Sequence, residues 1–90
     1  METTYTVIAH RMPHIYNYAK SYAKTIATLT NEQDAIKLAK AYMGMRGGKY
    51  LCNVVTQGKY YEDREITYNP KECNNMWWNL RHHKKYREYL

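Results

Sequence analysis

Thr30-Asn31-Glu32-Gln33-Asp34-Ala35-Ile36-Lys37-Leu38-Ala39-Lys40-Ala41-Tyr42-Met43-Gly44 is the stretch on which the fold turns. Thr30 reads as an N-cap with Gln33 at the third helical position, a capping box for amides that the first turn leaves without helical partners. Asp34 adds an acid near the positive end of the helix dipole. Ala35, Leu38, Ala39, Tyr42 and Met43, with Ile36 at the edge, form one apolar stripe at helical spacing, opposite Lys37 and Lys40. The small alanines let such a helix approach a sheet closely. It ends around Gly44, and Met45-Arg46-Gly47-Gly48-Lys49 reads as a C-cap and connector.

On both sides of this helix the periodicity changes from helical to alternating. Upstream, Tyr5, Val7 and Ala9 fall on one face of residues 4–11, and Thr4, Thr6, Ile8 and His10 on the other. Met12-Pro13 ends that first strand. Residues 14–23 read as irregular or briefly helical, and Lys24–Leu29 as a short extended piece. Downstream, Tyr50–Thr56 is a strand and Arg64–Tyr68 its antiparallel partner, with Gln57-Gly58-Lys59 starting the hairpin connection. Tyr60-Tyr61-Glu62-Asp63 either extends the second strand or forms an exposed loop. The order predicts a small single-domain β-α-β-β-α sandwich of the α+β class over residues 1–90, a three- or four-stranded mostly antiparallel sheet with helices packed on one face. If the strands at 4–11 and 50–56 are neighbours joined through the helix, that crossover should be right-handed.

A C-terminal helix over about 70–89 closes the chain. Asn69 is its N-cap, Pro70 stands at the first helical position where a missing N–H costs nothing, and Glu72 follows at the capping-box position. Cys73, Met76, Trp77 and Leu80 give a core-facing stripe with Trp77 as anchor. A second line, Trp78, His82, Tyr86 and Tyr89, runs along another face, and Arg81, Lys84, Lys85 and Arg87 crowd the end of the helix. Two aromatic lines leave more aromatic surface than one helix face can hide.

The formal net charge is +6 and the pI about 9.3, so an acidic partner is expected; by charge alone nucleic acid, an acidic protein patch or an anionic membrane would qualify. The charge is uneven. Residues 69–90 hold five cations and two acids, whereas residues 51–68 hold two cations and three acids. Hydrophobic content of 44% argues against a disordered chain, and eleven tyrosines with no phenylalanine suit interfaces better than a dry core. No stretch has the pattern of a signal peptide or the length of a membrane span, and two cysteines do not make a disulfide framework. A cytoplasmic setting with Cys52 and Cys73 as free thiols is therefore expected, with no membrane partner.

No catalytic constellation accompanies these features. Cys73 precedes His82 by nine residues, roughly 13 Å of helix rise, so the two cannot touch within one helix. Cys52 reads as a buried strand thiol. His10 and His14 straddle a strand end and Pro13, and His82-His83 point to different helix faces; neither pair has metal-ligand spacing. Glu62, Asp63 and Glu65, interrupted by Arg64, read as a solvated charge run. The Gly-rich turn matches no phosphate-binding motif and follows a helix rather than leading into one. The chain is expected to be non-catalytic and to need no cofactor or metal.

Binding chemistry is better served. Trp78, Arg81, His82, Lys84, Lys85, Tyr86 and Arg87, joined by Arg46 and Lys49 from the Gly-rich turn, form the expected contact set for a partner or nucleic acid. The expected partner is a protein or nucleoprotein complex with an acidic or nucleic-acid-bearing surface; the alternative is direct binding of RNA or single-stranded DNA through the basic aromatic helix. A small enzyme using a Cys or His ranks below both. In general character, through its length, one-domain economy, Tyr/Asn/Lys richness and lack of a catalytic constellation, the chain is similar to the small proteins that phages and mobile elements use against host defence, including anti-CRISPR proteins. That resemblance implies inhibition by covering a target surface; a chain of +6 is the wrong sign to imitate DNA. Eleven tyrosines and an exposed strand edge leave both monomer and homodimer open.

Overall fold

The computed structural model describes residues 2–11 and 23–90. Strands β1 (Thr4–Arg11), β2 (Ala23–Leu29), β3 (Tyr50–Gln57) and β4 (Glu62–Ile66) form a four-stranded sheet in the order β2-β1-β3-β4, every adjacent pair antiparallel. Helix α1 (Glu32–Met45) connects β2 to β3, and α2 (Pro70–Leu80) and α3 (Lys84–Arg87) follow β4. The α+β architecture anticipated from the sequence is the one observed. The extended reading of Lys24–Leu29 corresponds to β2, while the irregular or helical reading of 14–23 falls almost wholly outside the described residues. Because β2 and β3 flank β1 and both oppose it, the crossover through α1 joins two strands that run the same way with β1 between them.

The alternation in β1 decides which face is buried. Val7 and Ala9 are fully buried and stand opposite Val54 and Cys52 of β3, also fully buried, while Ile66 of β4 pairs with Cys52. Ala27 faces Val7 from β2, where Ile26 is left over as a bulge between the partners of Val7 and Ile8. The opposite face carries polar links, Thr6 to Thr28 and Asn53 Nδ2 donating to Asp63 Oδ1 at 3.0 Å.

Helix α1 lies on the buried face and α2 rests principally on α1. This middle position explains why α1 is more buried than one apolar stripe requires. Ala35, Leu38, Ala39, Tyr42 and Met43 are buried as expected, and Ala41 and Gly44 are buried as well, because the last turn is enclosed by the sheet on one side and α2 on another. Gly44 is a point of close approach between the two helices: a Cβ there would meet the Cys73 backbone, 2.5 Å from its carbonyl carbon and 3.0 Å from Asn74 N. The helix start differs by one residue from the expected capping box. Asn31, not Thr30, is the N-cap, its side chain accepting from Asp34 N at 3.1 Å; an Asn side chain reaches that amide as well as Thr does.

The second hairpin is shifted two residues toward its turn. β4 takes in Glu62 and Asp63 and ends at Ile66, leaving Tyr60 and Tyr61 exposed before it and Thr67-Tyr68 as connector. Ile66 is the one apolar residue of β4 on the buried face, and its pairing with Cys52 sets this register.

Candidate functional site

The basic C-terminal segment begins as its sequence dictates. Asn69 caps α2, its side chain accepting from Glu72 N at 3.1 Å, and Pro70 opens the helix. Glu72 does not turn back to complete a capping box; its carboxylate pairs with Lys40 of α1. The expected helix over about 70–89 is then divided. It stops at Leu80, Arg81 and His83 turn on backbone bonds to Trp77 O and Leu80 O, both 3.0 Å, and α3 starts after His83. The reason lies in the residues beyond Leu80. His83, Lys84 and Arg87 occupy the positions that would continue the apolar stripe, so a straight helix would gain nothing from the core.

The break changes which aromatic side chains are buried. Tyr86 turns inward, 5% exposed, and donates to Asp34 Oδ1 at 2.5 Å, while Lys85 pairs with the other Asp34 oxygen. Together they dock α3 on the first turn of α1. The hydrogen bonds from Lys85 and Tyr86 hold the Asp34 carboxyl below its ordinary pKa, and burial with the Asp34 bond pushes the Tyr86 phenol up to about 12. Trp77, expected as the core anchor, is only partly buried and stands outside the core cluster; Cys73 and Leu80 are the buried residues of α2, with Met76 packed against them.

Trp78 remains outside. It is 58% exposed, and the Arg81 guanidinium lies 3.6 Å above its ring, an i,i+3 cation–π stack. Arg81 Nε also donates to His82 Nε2 at 2.9 Å. Lys84 and Arg87 are exposed on the short helix that follows. Trp78, Arg81 and His82 thus form one contiguous group, and Lys84 and Arg87 follow within six residues of chain.

Arg46 and Lys49 lie elsewhere. Arg46 caps the far end of α1, twelve residues from Asp34 along the helix, roughly 18 Å of rise. Its guanidinium sits 3.8 Å from the Tyr42 ring centre and 5.8 Å from that of Tyr50, and Nη1 is buried with no hydrogen-bond partner among the described residues. Arg46 is therefore drawn onto two tyrosines, and only Lys49 at that end is freely exposed. Of the nine residues expected to form a contact surface, Trp78, Arg81 and His82 touch one another, Lys84 and Arg87 are exposed on α3, Lys85 and Tyr86 dock α3, and Arg46 and Lys49 lie at the far end of α1. Asp34, which fastens α3, was visible in the sequence only as a first-turn acid; nothing local signals a partner more than fifty residues away.

The cysteines are sealed in the core. Cys52 is fully buried, Cys73 1% exposed, both are free thiols, and burial pushes Cys52 up to about 12, with Cys73 adding to the shift. Cys52 is a thiol, not a thiolate nucleophile, at neutral pH. Among the described residues no three His, Cys, Asp or Glu side chains gather to hold a metal ion, and no helix is long and apolar enough to cross a membrane. No protein-family model matches the chain, and comparison with curated proteins and with solved structures finds no significant match.

Proposed function

We propose that this protein is a non-catalytic binding module that occupies an acidic or nucleic-acid-bearing surface of a protein or nucleoprotein target, with Trp78 and Arg81 as its anchor. The observation that carries this reading is the tryptophan, 58% exposed beneath an arginine 3.6 Å away. Trp and Arg are the side chains most enriched among residues that dominate binding energy, and the stack presents both as one preformed unit. Lys84 and Arg87, exposed on α3, supply long-range attraction to negative charge. Occlusion of a host defence complex, the setting of the small inhibitors the chain is similar to in general character, suits this chemistry. The same stack favours a second reading, direct binding of single-stranded nucleic acid, because an aromatic face flanked by cations also takes an unpaired base.

Tryptophan fluorescence titrated with random-sequence single-stranded and duplex nucleic acid at two salt concentrations separates the two readings. Saturable quenching that weakens steeply with salt, lost in Trp78→Ala and Arg81→Ala, supports direct binding. If no nucleic acid binds at low salt, photo-crosslinking from position 78 in a host extract tests the protein-surface reading: a discrete adduct must form and must vanish in Arg81→Ala. An adduct unaffected by Arg81→Ala would overturn the proposal.

A further inference from the structure

The strand order leaves β4 at one edge of the sheet, bordered by a groove of about 340 Å³ whose walls include Ile36 and Lys40 of α1, Glu65 and Ile66 of β4, and Glu72 of α2. Ile66 belongs to the buried face of β4 and Glu65 to the other, so residues from both faces line the groove. A strand contributes both faces to one wall only where its backbone edge is that wall. Ile36 and Ile66 give the groove an apolar floor. An added strand would pair with β4 and set alternate side chains over that floor, against the flank of α1.

Charge selects the occupant. Lys40 is committed to Glu72 and Arg64 to Glu32, while Glu62 and Glu65 stay exposed and, among the described residues, carry no ion pair. In a chain of net charge +6 this edge is locally acidic. A second copy of β4 fits poorly. In a two-fold antiparallel pairing the central residue faces its own copy, so registers centred on Asp63, Arg64 or Glu65 set like charge against like. We propose that the β4 edge and the α1 groove form a second docking site, for an extended basic peptide of another protein. One apolar side chain lies over Ile36 and Ile66, and its neighbouring Lys or Arg residues, on the other face, meet Glu65 and Asp63. The site is independent of the Trp78 surface and opposite to it in charge.

The test is fluorescence anisotropy of the intact protein with a labelled peptide of alternating Lys and Val, a Glu/Val counterpart, and a Lys/Val peptide N-methylated at alternate amides. The Lys/Val peptide is expected to bind saturably, the other two at least about tenfold more weakly, and Glu65→Lys to weaken binding by a similar factor. Glu65 is exposed, so the variant retains its core, and backbone amide shifts should concentrate on residues 62–67 in the native protein. Equal binding of the N-methylated peptide would mean charge attraction without strand pairing. Unchanged affinity in Glu65→Lys, loss of binding in Trp78→Ala, or absence of saturation at low salt would each overturn the assignment. So would sedimentation showing that β4 pairs with a second copy.

Discussion

Replacing Gly44 with alanine sets two effects of opposite sign against each other. In an exposed helix interior the change would stabilise by about 1 kcal/mol, the helix-propensity difference between Gly and Ala. Here the new methyl would fall 2.5 Å from the Cys73 carbonyl carbon, well inside van der Waals contact, and the obstacle is backbone rather than the end of a flexible side chain. Overpacking of this kind costs about 1–3 kcal/mol where side chains can adjust, and more where they cannot. For α2 to withdraw by even ~1 Å would also forfeit between a quarter and a half of the dispersion attraction of the atoms it leaves. The clash wins, and a net loss of about 2 kcal/mol or more is expected. For a domain of this size that lowers Tm by about 8–16 °C. Gly47→Ala is the matched control. Gly47 has φ 60° with no atom within 4 Å of an added Cβ, so only backbone strain of about 1–2 kcal/mol opposes it. Thermal and urea unfolding of the two variants decide the matter. A Gly44→Ala protein as stable as the native one, or less affected than Gly47→Ala, would refute the close helix crossing.

Tyr86→Phe should destabilise by about 1.5–3 kcal/mol, the worth of a hydrogen bond to a charged group, measured by urea unfolding at neutral pH. Tyr86 has its pKa raised from 10.0 to about 12, so its contribution is complete below pH 10 and lost as pH rises toward 12, a span worth about 3 kcal/mol. Asp34 is shifted the other way, below 3.8; its stabilisation is present above that pH and disappears as pH falls through the depressed value, which an acid unfolding series on native and Asp34→Asn proteins should resolve. Trp78→Ala should leave stability within about 0.5 kcal/mol of native, as for other exposed positions, whereas Leu80→Ala should cost about 2–5 kcal/mol; calorimetry of the pair checks that two neighbouring residues of one helix divide between surface and core. Neither cysteine should react with an aromatic disulfide reagent in the native state, and both should on denaturation; rapid labelling of native protein would contradict their burial.

The elements whose signals are local were legible in the sequence. Alternation located β1 and identified Tyr5, Val7 and Ala9 as its core face, and Asn69-Pro70 marked the start of α2 to the residue. The stripe on α1 was read correctly and its second buried side was not, because Ala41 and Gly44 are buried by α2, an element twenty-five residues downstream that leaves no trace in the local pattern. The same limit explains the C-terminal segment. Helical spacing put Trp78, His82 and Tyr86 in one line, but the interruption at Arg81–His83 and the pull of Asp34 placed Tyr86 in the interior. Of the candidate surface, Trp78, Arg81 and His82 come together because they lie within one turn, where sequence spacing and spatial neighbourhood coincide. The far placement of Arg46 and Lys49 depends on how α1 is laid across the sheet, which no local pattern specifies.

The middle position of α1 also governs the order in which the protein comes apart. Helices α2 and α3 are fastened to α1 by the Glu72–Lys40 pair, the crossing at Gly44 and the Asp34 bonds, all on one side of that helix. β1, by contrast, is held between two strands and beneath α1. The C-terminal hairpin of helices can therefore lift away as a unit while the sheet and α1 stay joined, uncovering the flank of α1 around Ala41 and Gly44. In native-state hydrogen exchange the amides of α2 and α3 should form the less protected cooperative unit, and those of β1 and β3 should exchange only with global unfolding. The residues proposed to grip a partner ride on the unit that opens first, so a bound partner would slow exchange across both helices and not merely at its points of contact.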